Sequence, residues 1–176
     1  MKNALLVALS FFSFATIFAQ VTSERLEINW PVKERWKLLA DNKDSMSRIL
    51  EYAPQEATLT KWDTIIYVQT IKNIVAPSLD LVMSSYSKAA LKESSKAIFT
   101  VIDKDESTKN FWVIYKVETA DFPNDPVPES QLWYIVQGNE TLFVNFIAVK
   151  EKTISDAFVA YWSNVFKSSK LIQAPK

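Results

Sequence analysis

The chain has no cysteine, no histidine and a single glycine, Gly138, among its 176 residues. Without cysteine there is no thiol nucleophile, no disulfide and no lipid-bearing N-terminal cysteine. Without histidine there is no imidazole base and no Ser-His-Asp triad, and the usual zinc ligands are gone as well. One glycine cannot line a loop that cradles phosphate or build a flexible lid. An excess of one charge is also missing, because 20 Lys and Arg face 20 Asp and Glu. That balance gives no electrostatic reason to expect nucleic acid or an anionic membrane as partner.

What is present begins with a leader. Lys2 precedes an uncharged, largely apolar run from Ala4 to Phe18, which closes on Ala19-Gln20 before the polar Thr22-Ser23-Glu24-Arg25. This is the layout of a secretory signal peptide at residues 1–19, with cleavage expected after Ala19. Residues 4–19 fall short of the roughly 20 apolar residues of a spanning helix, and no Lys/Arg cluster follows them. The mature chain, 20–176, is expected to be one secreted or periplasmic domain with no membrane span and no cofactor, stabilised by packing alone. All six Trp and all six Tyr lie within it.

Hydrophobic periodicity divides that domain into elements. Leu26, Ile28 and Trp30 alternate before Pro31 as a short edge strand. Trp36–Leu39 and Met46–Tyr52 flank the polar turn 41–45 as a first hairpin. Glu56–Trp62 reads as a short helical turn, and Thr64–Ile71 as a strand dense in β-branched and aromatic residues. Ser78 caps a helix with Leu79, Val82, Met83, Tyr86 and Ala90 on one face. Ile98–Ile102 with Phe111–Val117, and Leu132–Gln137 with Thr141–Val149, form two more hairpins. Gly138-Asn139 suits a type II′ turn in the latter, and the proline-rich segment 121–129 is a stiff loop. Thr153 and Asp156 have capping-box spacing ahead of a helix carrying Ile154, Phe158, Tyr161, Trp162, Val165 and Phe166. Leu171-Ile172 is a terminal half-strand.

The fold class is therefore α+β: an antiparallel sheet of about six to seven strands packed by a central helix and a long C-terminal amphipathic helix. This order of elements resembles the PsbP/Mog1-type α/β/α sandwich. The segment Ile49-Leu50-Glu51-Tyr52-Ala53-Pro54-Gln55-Glu56, with Trp62 and the strand Ile65–Gln69, resembles a pattern of uncharacterised secreted bacterial proteins of that sort. The resemblance spans about half of the mature chain through packing motifs; it implies fold, no catalytic residue, and an assembly or binding role.

Three chemistries survive the missing residue types. Paired carboxylates drawn from Glu27, Glu34, Glu51 and Glu118 would suit glycoside hydrolysis. Ser85 and Lys88 have S-x-x-K spacing, though without an oxyanion loop. Asp103–Ser107 offers oxygen ligands to calcium but lacks the glycine and terminal Glu of an EF-hand, so no metal site is expected. Asn139-Glu140-Thr141 has the N-glycosylation spacing in a tight turn. Asp44-Ser45-Met46 and Asp63-Thr64-Ile65 resemble O-glycosylation acceptors of some secreted bacterial proteins. The abundance of aromatics points elsewhere, to a groove for a small molecule, a glycan or an envelope protein. Trp133, Trp112 and Phe122, beside the proline-rich loop, are its candidate ligand-binding residues. The expected function is non-catalytic binding or envelope support; the alternative is a carboxylate-dependent hydrolase acting on an extracytoplasmic glycan.

Overall fold

The computed structural model describes residues 24–31, 35–119 and 127–173. The leader 1–19, Glu34 and Phe122, with most of the proline-rich loop, lie outside the described residues. The elements run β1 (Glu24–Glu27), β2 (Trp36–Lys43), β3 (Ser47–Pro54), β4 (Thr64–Lys72), α1 (Leu79–Glu93), β5 (Ile98–Asp105), β6 (Trp112–Thr119), β7 (Glu129–Gln137), β8 (Thr141–Val149), α2 (Asp156–Lys167) and β9 (Lys170–Gln173). Strands β2 to β8 form one seven-stranded sheet in the order β2-β3-β4-β8-β7-β6-β5, antiparallel throughout. The chain thus builds a three-strand meander and a four-strand meander and joins them along β4 and β8. β1 and β9 pair separately as an antiparallel ribbon.

Alternation along the strands sends side chains to opposite faces, and both faces are covered. One face carries Ile65, Ile71, Val113, Tyr115, Trp133, Ile135, Val144 and Phe146, packed with Leu79, Val82 and Tyr86 of α1. The other carries Ile66, Ile114, Leu132, Tyr134, Phe143 and Ile147, packed with Trp162 and Phe166 of α2 and with Leu26, Trp30 and Leu171. Burial on both sides explains why every residue of β8 is buried, a continuous apolar run rather than a half-polar alternation.

The first helix is as expected, and the second differs in length and in its cap. Ser78 caps α1, its Oγ accepting the Leu81 N–H at 3.2 Å, and Asp80 in the first turn with Lys92 in the last suit the helix dipole. α2, expected to be long, spans only 12 residues against 15 in α1. Its cap is Ser155, whose Oγ accepts the Phe158 N–H at 3.3 Å, not Thr153. The reason lies one residue earlier: the Ile154 N–H donates to Glu118 Oε1 at 3.0 Å, tying the chain to β6 before helical dihedrals can begin. The turn expected to be helical at Glu56–Trp62 is a tight loop closed by paired backbone bonds between Thr58 and Lys61.

Gly138 has no positive φ, so a type II′ turn is not what requires it. The requirement is proximity. The Glu24 carboxylate of β1 lies over the β7–β8 turn, accepting the Asn139 N–H at 2.8 Å and the Glu140 N–H at 3.2 Å, and accepting from Gln173 Nε2 of β9. A Cβ at position 138 would land on all three of that carboxyl group's heavy atoms. Beside it, the fully buried Gln137 accepts the Ala76 N–H at 3.0 Å and donates to the Ile74 carbonyl at 3.0 Å, fastening the β4–α1 connection to the same turn.

Candidate functional site

Register places one rank of side chains straight across the α1-covered face. Glu51 on β3 pairs with Tyr67 on β4, Tyr67 with Phe146 on β8, Phe146 with Trp133 on β7, and Trp133 with Tyr115 on β6. The four rings stack face against face across the sheet. Tyr67 and Phe146 lie 4.7 Å apart at 11°, Phe146 and Trp133 4.6 Å apart at 29°, and Trp133 and Tyr115 5.6 Å apart at 20°. Tyr86 of α1 stands over the middle of the rank, 5.4 Å from Trp133. Cross-strand aromatic pairs stabilise a sheet by roughly 0.2–1 kcal/mol each, so as far as Tyr67 the rank is ordinary core.

Its β3 end is not. Glu51 is 8 % exposed, and its Oε2 is buried with no hydrogen-bond partner. Burial pushes its carboxyl above the usual glutamate range. On β2 the residue opposite it is Ala40, and Ile49 and Ala53 are its same-face neighbours on β3, so none of these side chains bonds to it. The nearby hydroxyls are held neutral: desolvation and the Glu51 charge raise Tyr67, and desolvation and Tyr67 raise Tyr86. The Oη atoms of Tyr86 and Tyr115 are also buried without partners. The Glu51 carboxyl at the β3 end of the rank, and two hydroxyls farther along it toward β6, thus stand desolvated and unsatisfied, and burial without a hydrogen bond is costly. Such a group can hold or release one proton and attract one cation.

A polar chain flanks the patch on the same face. Trp133 Nε1 donates to Gln131 Oε1 at 2.8 Å, Gln131 Nε2 donates to Glu129 Oε1 at 2.7 Å, and Glu129 Oε2 accepts from Lys150 Nζ at 2.9 Å. Lys150 in turn lies 4.2 Å from the Trp62 ring centroid. These groups satisfy one another, in contrast to Glu51.

The residues singled out in the sequence are dispersed. Trp133 is 5 % exposed, enclosed by Tyr115, Phe146 and Tyr86. Trp112 lies on the opposite face, half-buried, with Tyr134 at 6.4 Å and the Lys167 ammonium at 5.9 Å. The structure therefore does not bring these two together, and Phe122 is outside the described residues. Glu27 is exposed near Arg25, while Glu118 pairs with Lys116 at 3.0 Å on the α2 face. Glu51 and Glu118 thus open on opposite sides of the sheet. Ser85 Oγ donates to the Leu81 carbonyl at 2.8 Å, back along its own helix and not to Lys88. Asp103 pairs with Lys167, and Asp105 accepts the Ser107 N–H at 2.8 Å. Among the described residues no group of three or more acidic side chains could hold a metal ion, and no helix is long and apolar enough to cross a membrane.

Sequence reasoning named Glu51 only as one carboxylate of four. The signal that separates it was its phase: an acid in register with Ile49 and Ala53 on the inward side of a strand. The chain matches no protein-family model, and comparison with curated proteins finds no relative.

Proposed function

We propose that this is an exported, non-catalytic binding protein, secreted or periplasmic, whose ligand docks on the α1-covered face at the Glu51–Tyr67 end of the aromatic rank. One observation carries the reading: a nine-tenths buried carboxyl oxygen without a partner terminates a stack of rings that would pack better against an aliphatic residue. The leader-like N-terminus supports export, and the missing histidine and cysteine support binding over catalysis. The PsbP/Mog1-type resemblance of the sequence favours a binding or assembly role. Glu51 and Glu118 do not share a face, so that pair of carboxylates does not suit glycan hydrolysis.

The test is tryptophan fluorescence of the mature protein titrated with envelope glycans, fatty acids and peptides. Trp133 is two rings from Tyr67 in the stack and reports on it. Saturable quenching by one of these classes, weakened at least tenfold in Tyr67→Ala, is the expected result. Glycan turnover by the purified domain, lost in Glu51→Gln, would falsify the non-catalytic reading.

A further inference from the structure

We infer that the ligand of this site is an organic ammonium compound with an apolar or aromatic body, the ammonium lying against the Glu51 carboxylate and the body against Tyr67. The inference rests on the binding reading above and narrows it to one chemical class.

Charge comes first. Glu51 repels anions, and the side chains nearest in register supply no compensating cation: Ala40, Ile49, Ala53 and Tyr67 carry none. The closest candidates are engaged or point away. Lys150 is held by Glu129 and Trp62, Arg48 is bound to Asp41 through two bonds of 2.9 and 2.8 Å, and Lys88 and Lys92 of α1 are exposed. A positive group brought from outside would supply what the fold leaves out.

Geometry adds the ring. Tyr67 stacks on Phe146 with one face, so its other face is turned toward β3, where Glu51 stands opposite it. A cation placed there meets a carboxylate and an aromatic face together, the arrangement by which proteins hold alkylammonium groups. A bare metal ion does not fit: calcium takes about 6–8 oxygen ligands, and Glu51 is the one carboxylate of its rank.

Protonation then sets the pH behaviour. The titratable group facing Glu51 is Tyr67 on β4, with Tyr86 of α1 and Tyr115 of β6 farther along the rank. All three stay neutral because burial raises them, and Glu56 and Lys61 of the neighbouring loop are exposed. Ammonium binding therefore weakens as pH falls through the raised pKa of Glu51.

Isothermal titration with 2-phenylethylammonium, 2-phenylethanol and 3-phenylpropanoate separates the possibilities, since the probes share a ring and differ in the polar end. At neutral pH the ammonium should bind about tenfold or more tightly than the alcohol, a difference of about 1.4 kcal/mol. The carboxylate should bind least. Glu51→Gln should reduce the ammonium to the level of the alcohol, and Glu51→Asp, which keeps the charge but shortens its reach, should preserve the order of preference. Urea midpoints of both variants check that they fold. Equal binding of ammonium and alcohol, unchanged in Glu51→Gln, overturns the inference, as does a preference for the carboxylate. If the phenyl probes fail while a glycan or fatty acid quenches the tryptophans, the ammonium inference falls and the binding reading stands; if nothing binds, both fall.

Discussion

At the scale of single residues, two positions hold side chains or backbone that packing alone does not call for. Gly138 is required by the carboxylate lying on it, not by a backbone angle. Gly138→Ala should therefore displace Glu24 from two N–H groups and cost about 1–3 kcal/mol, the loss expected for hydrogen bonds to a charged group. In a Glu24→Ala background the same substitution should cost little, and urea denaturation of the four proteins of this cycle measures the difference. Glu51 gives the opposite sign. Its folded pKa is raised, so the native state binds the proton more tightly than the unfolded chain, and stability rises as pH falls from above the raised value toward the ordinary value near 4.5. Glu51→Gln should be more stable than the wild type at neutral pH, and the gap should close in acid; thermal melts across that window check it. The sequence shows that position 138 is the only glycine, but not why. The reason is a residue 114 positions away, and long-range proximity leaves no local pattern.

Elements carry the next level. α2 buries Trp162 and Phe166 against the sheet, and Trp162 meets Trp30 at 6.4 Å and Trp36 at 6.2 Å, so two other segments converge on its indole. Trp162→Ala should lower stability by about 3–5 kcal/mol, a large share of a domain's total of roughly 5–15 kcal/mol. A urea midpoint unchanged within error would show that this face is not core. Most elements were legible because each obeys a local rule. Ser78 precedes an apolar stripe, β8 is an apolar run bounded by a turn, and Leu171-Ile172 does form a strand. The start and length of α2 were not, since they depend on a backbone bond from Ile154 to a carboxylate on β6. The candidate site failed to show for a related reason. Trp133 and Trp112 looked like contact residues by type, whereas strand phase sends one beneath α1 and the other toward α2.

The whole molecule is an α+β domain whose sheet is protected on both faces, and its class followed from the alternation of periods along the chain. Strand order did not follow, because nothing in β4 or β8 alone names the other as its partner. Export belongs to this scale too. N-terminal sequencing of protein recovered from the producing cell is expected to begin at Gln20, and an intact Met1 in a membrane fraction would overturn the leader assignment. The sheet order has a kinetic consequence. β2-β3-β4 and β5-β6-β7-β8 can each form from neighbours in sequence, but the nine-pair ladder from Thr64↔Val149 to Lys72↔Thr141 closes a loop through everything between. Loop-closure entropy opposes that step until both halves exist. Zipping β4 to β8 is thus expected to limit how fast the protein folds, which refolding rates of variants along the ladder measure. Substitutions along this seam will slow refolding, while those at the outer hairpin β2–β3 will chiefly hasten unfolding.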